Sequence, residues 1–351
     1  MKSNDYDKEK CVSKLTDVLS CLRGFIIYVP KRYFGIPLKI NRDYKSLKSD
    51  KVMRIIPNFN DVYTLRIVDF DRIESIDYFN DAVKNFINVL EKKIPKENLS
   101  NFYYNINTFS IGELKNDIKQ RRRVGFYNGF DNHLKVRIDY IYAIYHELFH
   151  LASCRYYGNN LFSGFRITNS KLKSSIGVGI NEGYTQLLTE RYFNNDRTIN
   201  FLENKYGKIN ADKVNRNYYS FQLLIASKLE NIVGKEKMEE LYLGSNLFGL
   251  VSELSQYASK EDVKKFITNM DFLHGNINYV YKYDLKNEKL FKVFLEVSDF
   301  LIRCYRKKMI KEHGKNFVYR DEYIQNYIND LNNFYEMYFS RSNTSEKKKR
   351  S

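Results

Sequence analysis

The sequence predicts an α+β protein in which a part with mixed strands and helices precedes a mainly helical C-terminal part. Short stretches rich in β-branched and aromatic residues occur in the first part, and such stretches favour strands. Apolar residues at helical spacing dominate the second part. Apolar residues make up 43% of the 351 residues and charged residues 28%, a balance typical of a chain with a buried core.

These patterns divide the chain into four segments. Residues 1–110 form an N-terminal α+β part, residues 111–204 a central core and residues 205–342 the helical part. Residues 343–351 form a basic tail that we expect to be disordered. The length exceeds that of one ordinary domain and fits two domains, or one domain with a large lobe.

The first elements are strands and one long helix. Gly24–Val29, Val52–Ile56 and Tyr63–Asp69 have the composition of strands. Asp71–Lys92 has apolar residues at helical spacing and predicts a helix. Phe102–Phe109 is a further strand candidate, because it is again rich in aromatic residues.

A hairpin and two helices follow in the central segment. Val124–Tyr127 and His133–Ile138 are the predicted arms of the hairpin, around a turn rich in Asn and Gly. Tyr140–Arg155 is apolar nearly all round, which is typical of a buried helix. A loop with three glycines then leads to a second helix over Asn181–Phe193.

Helical periodicity predicts five helices in the C-terminal part. They cover Val214–Val233, Lys235–Leu243, Lys260–Phe272, Leu285–Met309 and Asp321–Tyr338. No apolar run approaches the roughly 20 residues of a membrane span, and charged residues interrupt the start of the chain where a secretory signal would be apolar. We therefore expect a cytoplasmic protein with no membrane span.

The chain is strongly basic, with 58 Lys and Arg against 42 Asp and Glu and a net charge of +16. Nucleic acid, an anionic membrane surface or an acidic substrate would suit this charge. Many Lys, Asn and Tyr with only 4 Pro and no Trp also match the bias of an AT-rich genome, which we favour as the explanation. Nucleic acid is therefore not the favoured partner. The four cysteines form no CxxC pair and predict reduced thiols.

The strongest motif is H-E-x-x-H, at His146, Glu147 and His150 within the apolar helix. Residues four apart on a helix differ by about 40° in direction and about 6 Å in height, so both imidazoles can bind one ion. Glu147 lies on the flank of that face and can reach a water at the metal. Packed histidines are the alternative, but burying these three groups costs several kcal/mol, on the order of 2–7 for each polar group, unless something satisfies them.

A catalytic zinc needs a third protein ligand, and Glu182 is the best candidate. It lies 182 − 150 = 32 positions after the second histidine, which leaves room for the second helix to pack alongside the first. A polar stripe continues along that helix through Thr185, Gln186, Thr189 and Glu190. Such a stripe either forms hydrogen bonds around the metal ligands or faces solvent. The sequence does not decide between these two roles for Glu190.

The run HELFH followed by NEGYTQLLTE resembles the gluzincins, zinc metallopeptidases related to thermolysin and the zinc aminopeptidases. In that group one helix carries H-E-x-x-H, and a later helix, often beginning Asn-Glu-Gly, supplies a glutamate ligand. The resemblance covers about residues 124–193 and implies a zincin-like core of mixed sheet and active-site helix. It implies Zn²⁺ ligands at His146, His150 and Glu182 and a general base at Glu147. The predicted hairpin also fits, because such enzymes hold the substrate backbone on an edge strand there.

The chain departs from the family in the later lobe. The resemblance implies a tyrosine or histidine that stabilises the transition state, but no motif marks it here. Tyr218, Tyr219 and His274 are candidates by position alone. The gap before Glu182 is also longer than in many relatives, and no signature for an amino terminus is visible, so aminopeptidase activity is not carried over.

The sequence therefore predicts a zinc-dependent metallopeptidase that acts on a peptide or protein substrate. The alternative is a metal-binding protein on the same zincin-like scaffold without peptidase activity, because the transition-state donor is not located. A basic nucleic-acid-associated protein is the third interpretation.

Overall fold

A computed structural model of the protein describes residues 53–58, 62–67, 73–106, 109–113, 124–130, 132–137, 143–157, 159–193, 219–280, 288–315 and 322–335. The predicted strand Gly24–Val29, the basic tail and Tyr218 lie outside these ranges. The described residues form an α+β structure that is mainly helical, with two small sheets. This confirms the predicted fold class at that level, and the segment boundaries stay a prediction.

Five described strands form the first sheet, in the order β2-β1-β3-β5-β4. The strands are β1 (Met53–Asn58), β2 (Val62–Ile67), β3 (Ser110–Glu113), β4 (Gly125–Asn128) and β5 (His133–Val136). The pair β3–β5 is parallel and the other pairs are antiparallel. β4 and β5 are the two arms of the predicted hairpin. Among the described strands, β4 is an edge of this sheet.

The second sheet is an antiparallel meander that the sequence analysis did not predict. It contains β6 (Cys154–Tyr157), β7 (Asn160–Ser163), β8 (Arg166–Asn169) and β9 (Ser174–Ile176), paired in chain order. The expectation of a glycine-containing loop between the two central helices is therefore wrong. The strands have only three or four residues, too few for a clear alternation of apolar and polar side chains. Gly164, at φ +54°, allows the tight turn between β7 and β8.

Ten described α-helices complete the fold. They are α1 (Ile73–Lys93), α2 (Ser100–Ile106), α3 (Ala143–Ala152), α4 (Val178–Phe193), α5 (Ser220–Val233), α6 (Lys235–Leu243), α7 (Leu247–Leu254), α8 (Lys260–Val280), α9 (Glu288–His313) and α10 (Glu322–Tyr335). The helical C-terminal part is thus confirmed where it is described, with α7 as an additional short helix. None of the described helices is both long and apolar enough to cross a membrane.

One predicted strand is a helix in the structure. Phe102–Phe109 was expected to be extended, but α2 covers most of it. Phe102, Asn105 and Ile106 are fully buried, and their spacing of three and four positions is that of one helical face. The aromatic residues therefore serve helix packing here, in line with the strong context dependence of strand propensity.

The helix that carries the H-E-x-x-H motif is held by an aromatic cluster. The ring of Phe86 on α1 lies 5.0 Å from Phe149 on α3 and 5.2 Å from Phe193 on α4. Tyr145 on α3 stacks on Phe193 at 4.3 Å. Aromatic contacts of this kind contribute about 0.5–1.5 kcal/mol each beyond their buried area. They fix α3 beside α4, which brings the two predicted ligand helices together.

Helix α4 also packs directly against α5, and a glycine makes this contact close. A Cβ atom at Gly183 would overlap the backbone carbonyl oxygen of Gln222 on α5. A backbone group cannot move aside as a flexible side chain can. The glycine after Glu182 in Asn-Glu-Gly is therefore explained by the packing of α4 on α5.

We expect Gly183→Ala to lower the free energy of unfolding by about 1–3 kcal/mol, because the added methyl group overpacks this contact. Urea denaturation followed by far-UV circular dichroism measures the change. Gly275→Ala on α8 is the matched control, since a Cβ there would meet no atom within 4 Å. That substitution should stabilise the protein by up to about 1 kcal/mol through helix propensity. Equal stability of Gly183→Ala and wild type would contradict the close contact of α4 and α5.

Candidate metal centre

The two histidines of the motif point at each other from one face of α3. They are one helical turn apart, and their Nε2 atoms are 3.2 Å apart. The rings are nearly perpendicular, at 79°, so the two nitrogens approach one point from different directions. Both side chains are buried, with 8% of each residue exposed. Two buried imidazole nitrogens facing each other need a proton or a cation between them.

Glu182 on α4 completes a group of three ligand atoms. Its Oε2 atom lies 3.1 Å from Nε2 of His146 and 3.5 Å from Nε2 of His150. Zn–N and Zn–O bonds of about 2.0–2.1 Å at tetrahedral angles would place neighbouring ligand atoms about 3.3 Å apart. The three observed distances bracket that value. Buried His146, His150 and Glu182 therefore lie close enough together to bind one metal ion.

The electrostatics of the group favour a positive charge at its centre. Burial alone would raise the pKa of Glu182, but the two histidines hold it well below its usual range. Burial alone would lower the pKa of His146, but its hydrogen bond to Glu182 and the charges of Glu182 and Glu147 raise it. The metal-free site thus retains a carboxylate and favours protonation of His146. A bound cation would take over the charge of that proton.

A chain of hydrogen bonds orients His146 from behind. Oε1 of Gln186, one turn after Glu182 on α4, lies 3.1 Å from Nδ1 of His146. The amide of Gln186 donates to Oε1 of Glu190 at 3.2 Å. In the neutral imidazole, an acceptor at Nδ1 leaves Nε2 unprotonated and directed at the site, as metal binding requires. The polar stripe of α4 therefore runs from Glu182 to Glu190. It forms hydrogen bonds around the candidate ligands, which was one of the two predicted roles, the other being a face exposed to solvent.

His150 also has polar partners at its Nδ1 atom, but these are an amide nitrogen and a hydroxyl group. Its Nδ1 atom lies 3.3 Å from the amide of Asn181 and 3.4 Å from the hydroxyl of Thr185. Thr185 in turn lies 2.6 Å from the hydroxyl of Tyr242 on α6. Tyr242 gives no signal in the sequence, because its role depends on the packing of α6 against α4. Each histidine thus has its Nδ1 atom held by α4 and its Nε2 atom at the candidate site.

Glu147 lies beside the three ligand atoms but is not one of them. It is buried, with 8% exposed, and accepts a hydrogen bond from the backbone of Tyr127 on the edge strand β4. Burial raises the pKa of its carboxyl group, against the lowering effect of the two histidines. A Cβ at Gly125 on β4 would lie 3.3 Å from Oε1 of Glu147, so the glycine leaves room for this carboxylate.

Two of the three residues nominated as donors lie beside the candidate ligands. The ring of Tyr219, just before α5, stacks on His146 at 5.5 Å and 14°. His274 on α8 also stacks on Tyr219, at 5.8 Å and 18°. Burial lowers the pKa of His274, so its imidazole is neutral at neutral pH. Tyr218 lies outside the described residues.

No protein-family model matches the chain, and no curated protein or solved structure is significantly similar to it. The function therefore has to be argued from the site itself. The structure has an α+β scaffold with three buried side chains that can bind a metal ion.

Proposed function

We propose that the protein is a zinc-dependent metallopeptidase with a zincin-like core, acting on a peptide or protein substrate. The observation that carries this proposal is the position of Glu147. It is a buried carboxylate next to a three-ligand group, yet it is not one of the ligands. Structural zinc sites use four protein ligands, whereas catalytic sites use three and leave one position for water or substrate.

The donor set supports zinc as the metal. Two imidazole nitrogens and one carboxylate oxygen are a known ligand set of catalytic zinc. The hydrogen bond from Nδ1 of His146 to Oε1 of Gln186 is also of the kind that zinc-binding histidines commonly make. When bound, zinc would supply a water with a pKa of about 7 and would polarise a carbonyl group.

Glu147 would act as the general base and then as the general acid. In the first role its carboxylate accepts a proton from the attacking water. In the second it gives that proton to the leaving amine. Burial raises the pKa of Glu147, so this pKa is closer to neutral pH than that of an ordinary glutamate. Such a pKa suits a group that must both accept and donate a proton.

The edge strand and the stacked rings would bind the substrate. A strand edge offers backbone N–H and C=O groups that pair with an extended peptide, and β4 brings such an edge next to Glu147. The neutral imidazole of His274 or the hydroxyl of Tyr219 would donate a hydrogen bond to the oxygen of the reacting carbonyl. A donor directed at developing negative charge typically contributes about 10²–10³ in kcat.

A peptide-cleavage profile tests the proposal. We expect the zinc-loaded protein to produce new peptide termini, detected by mass spectrometry, in a mixture of peptides of varied sequence. Treatment with a chelator should abolish cleavage, because the water is then no longer activated, and added zinc should restore it. Cleavage that continues unchanged without metal would contradict the proposed mechanism. Stoichiometric zinc without any cleavage would favour the non-hydrolytic metal-binding alternative.

A further inference from the structure

Helix α8 binds the start of the helix that carries Glu182. The two carboxylate oxygens of Asp271 accept hydrogen bonds from the backbone N–H groups of Gly177, at 2.8 Å, and Gly179, at 2.9 Å. These N–H groups belong to the first turn of α4 and its preceding residue, where a helix has no internal partners for them. One side chain from the C-terminal part thus binds α4 at a point one turn before the candidate ligand.

The backbones of the two helices are also in direct contact at this point. A Cβ atom at Gly179 would overlap the carbonyl oxygen of Met270 on α8. Gly177 has φ +77°, a conformation that favours glycine, and this brings its N–H group towards Asp271. Because the two backbones already touch, α8 cannot approach α4 more closely. The hydrogen bonds of Asp271 and this backbone contact together define the distance between the helices.

The same helix reaches the metal-binding group by a second route. His274 follows Asp271 by three positions on α8, so both side chains lie on one face. His274 stacks on Tyr219, which stacks on His146. Helix α8 therefore contacts the start of the helix that carries Glu182 and, through Tyr219, the ring of His146.

The buried carboxylate of Asp271 does not stabilise the folded protein by its charge. Burial raises its pKa to about 6, while the N–H groups of α4 and the charge of Arg166 on β8 lower it. This pKa is above 3.8, the ordinary value for aspartate. The stability of the folded protein therefore falls as the pH rises from about 3.8 to about 6, because the unfolded chain loses this proton first.

We propose that Asp271 is a positioning residue of the metal site, which sets the place of Glu182 through its hydrogen bonds to the start of α4. This inference rests on the metal site of the proposed function, but not on peptidase activity. The site is then built jointly by the central segment and the C-terminal helices.

Asp271→Asn tests this role. Asparagine has one acceptor oxygen in place of two, so one hydrogen bond to α4 is lost and an N–H group faces another. We expect the zinc dissociation constant, measured by competition with a chromophoric chelator, to rise by at least about 10-fold. The visible absorption of the Co²⁺-substituted protein should also change, because it reports the coordination geometry. The melting temperature of the zinc-free variant at alkaline pH should stay within about 3 °C of wild type, because removal of the buried charge offsets the lost hydrogen bond.

Asp262→Asn is the matched control on the same helix. Asp262 is half-buried and accepts a hydrogen bond from the hydroxyl group of Ser259, the residue before α8. This variant should keep the wild-type zinc affinity and Co²⁺ spectrum. If Asp271→Asn does not fold, Asp271→Glu replaces it, because the charge is kept while the extra methylene moves α8 relative to α4. An altered Co²⁺ spectrum in folded Asp271→Glu would support the proposal, and an unaltered one would overturn it.

Other outcomes separate this inference from the proposed function. Unchanged zinc affinity and an unchanged Co²⁺ spectrum in Asp271→Asn would overturn the inference and leave the metal site intact. If Asp271→Asn lowered both the zinc affinity and the stability of the zinc-free protein, Asp271 would be an ordinary helix cap. That result would also overturn the inference. Weaker zinc binding in the variant, together with no peptide cleavage by wild type, would support the inference and contradict the peptidase. A wild-type protein that binds no zinc would overturn both.

Discussion

Replacing Glu182 with glutamine is expected to abolish stoichiometric zinc binding. The amide removes a charged oxygen ligand from a group of three, while its shape is nearly that of glutamate. Loss of an outer partner of a metal ligand already weakens binding by about 10–100-fold, so we expect the zinc dissociation constant to rise by more than about 100-fold. Elemental analysis of the purified protein should give about one zinc per chain for wild type and little for Glu182→Gln.

The control for this experiment is Glu236→Gln, at an exposed position in the first turn of α6. It changes the net charge by the same amount and should leave the zinc content unchanged. Far-UV circular dichroism should show that both variants remain folded. Undiminished zinc in Glu182→Gln would remove this residue from the site and require a different third ligand.

Replacing Glu147 with glutamine is expected to separate metal binding from catalysis. The carboxylate is outside the three-ligand group, so zinc content should equal that of wild type. Glutamine cannot accept the proton of the attacking water, and loss of a general base typically costs about 10²–10⁴ in rate. We therefore expect kcat/KM for a peptide found in the cleavage profile to fall by at least about 100-fold.

Two results would contradict this role for Glu147. Cleavage at the wild-type rate would show that another group accepts the proton. Loss of zinc along with activity would indicate that Glu147 is itself a ligand. Glu236→Gln is again the matched control and should keep both zinc and cleavage.

The sequence allowed prediction of those features that depend on local spacing. H-E-x-x-H within an apolar run predicted the helix that carries both histidines, because residues four apart share a helical face. The same reasoning grouped Glu182 and Glu190 on one stripe of a later helix. In the structure Glu182 contacts His146 directly, and Gln186 links Glu190 to His146. The hairpin at β4 and β5 was predicted from a turn rich in Asn and Gly.

Features that depend on packing between distant segments were not predicted. Asp271 and Tyr242 contact α4 across 92 and 57 positions of sequence, respectively, and no local pattern marks such contacts. Phe102 was placed in a strand because its neighbours are aromatic, although burial in α2 decides its conformation. Tyr219 and His274 were nominated only by position, and their common stack with His146 became visible only in the structure.

The meander of β6 to β9 occupies most of the 182 − 150 = 32 positions between His150 and Glu182. The turn between β7 and β8 contacts α4, because the backbone N–H group of Phe165 donates to Asn181 at 3.0 Å. The turn between β8 and β9, over residues 170–173, is exposed, and exposed turns tolerate inserted or deleted residues. The spacing of the two motifs along the chain is therefore a property of the inserted sheet, whereas the spacing of the ligand atoms is a property of the helices. A pattern used to recognise this arrangement in other chains should fix the residues of each motif and leave the gap between them open.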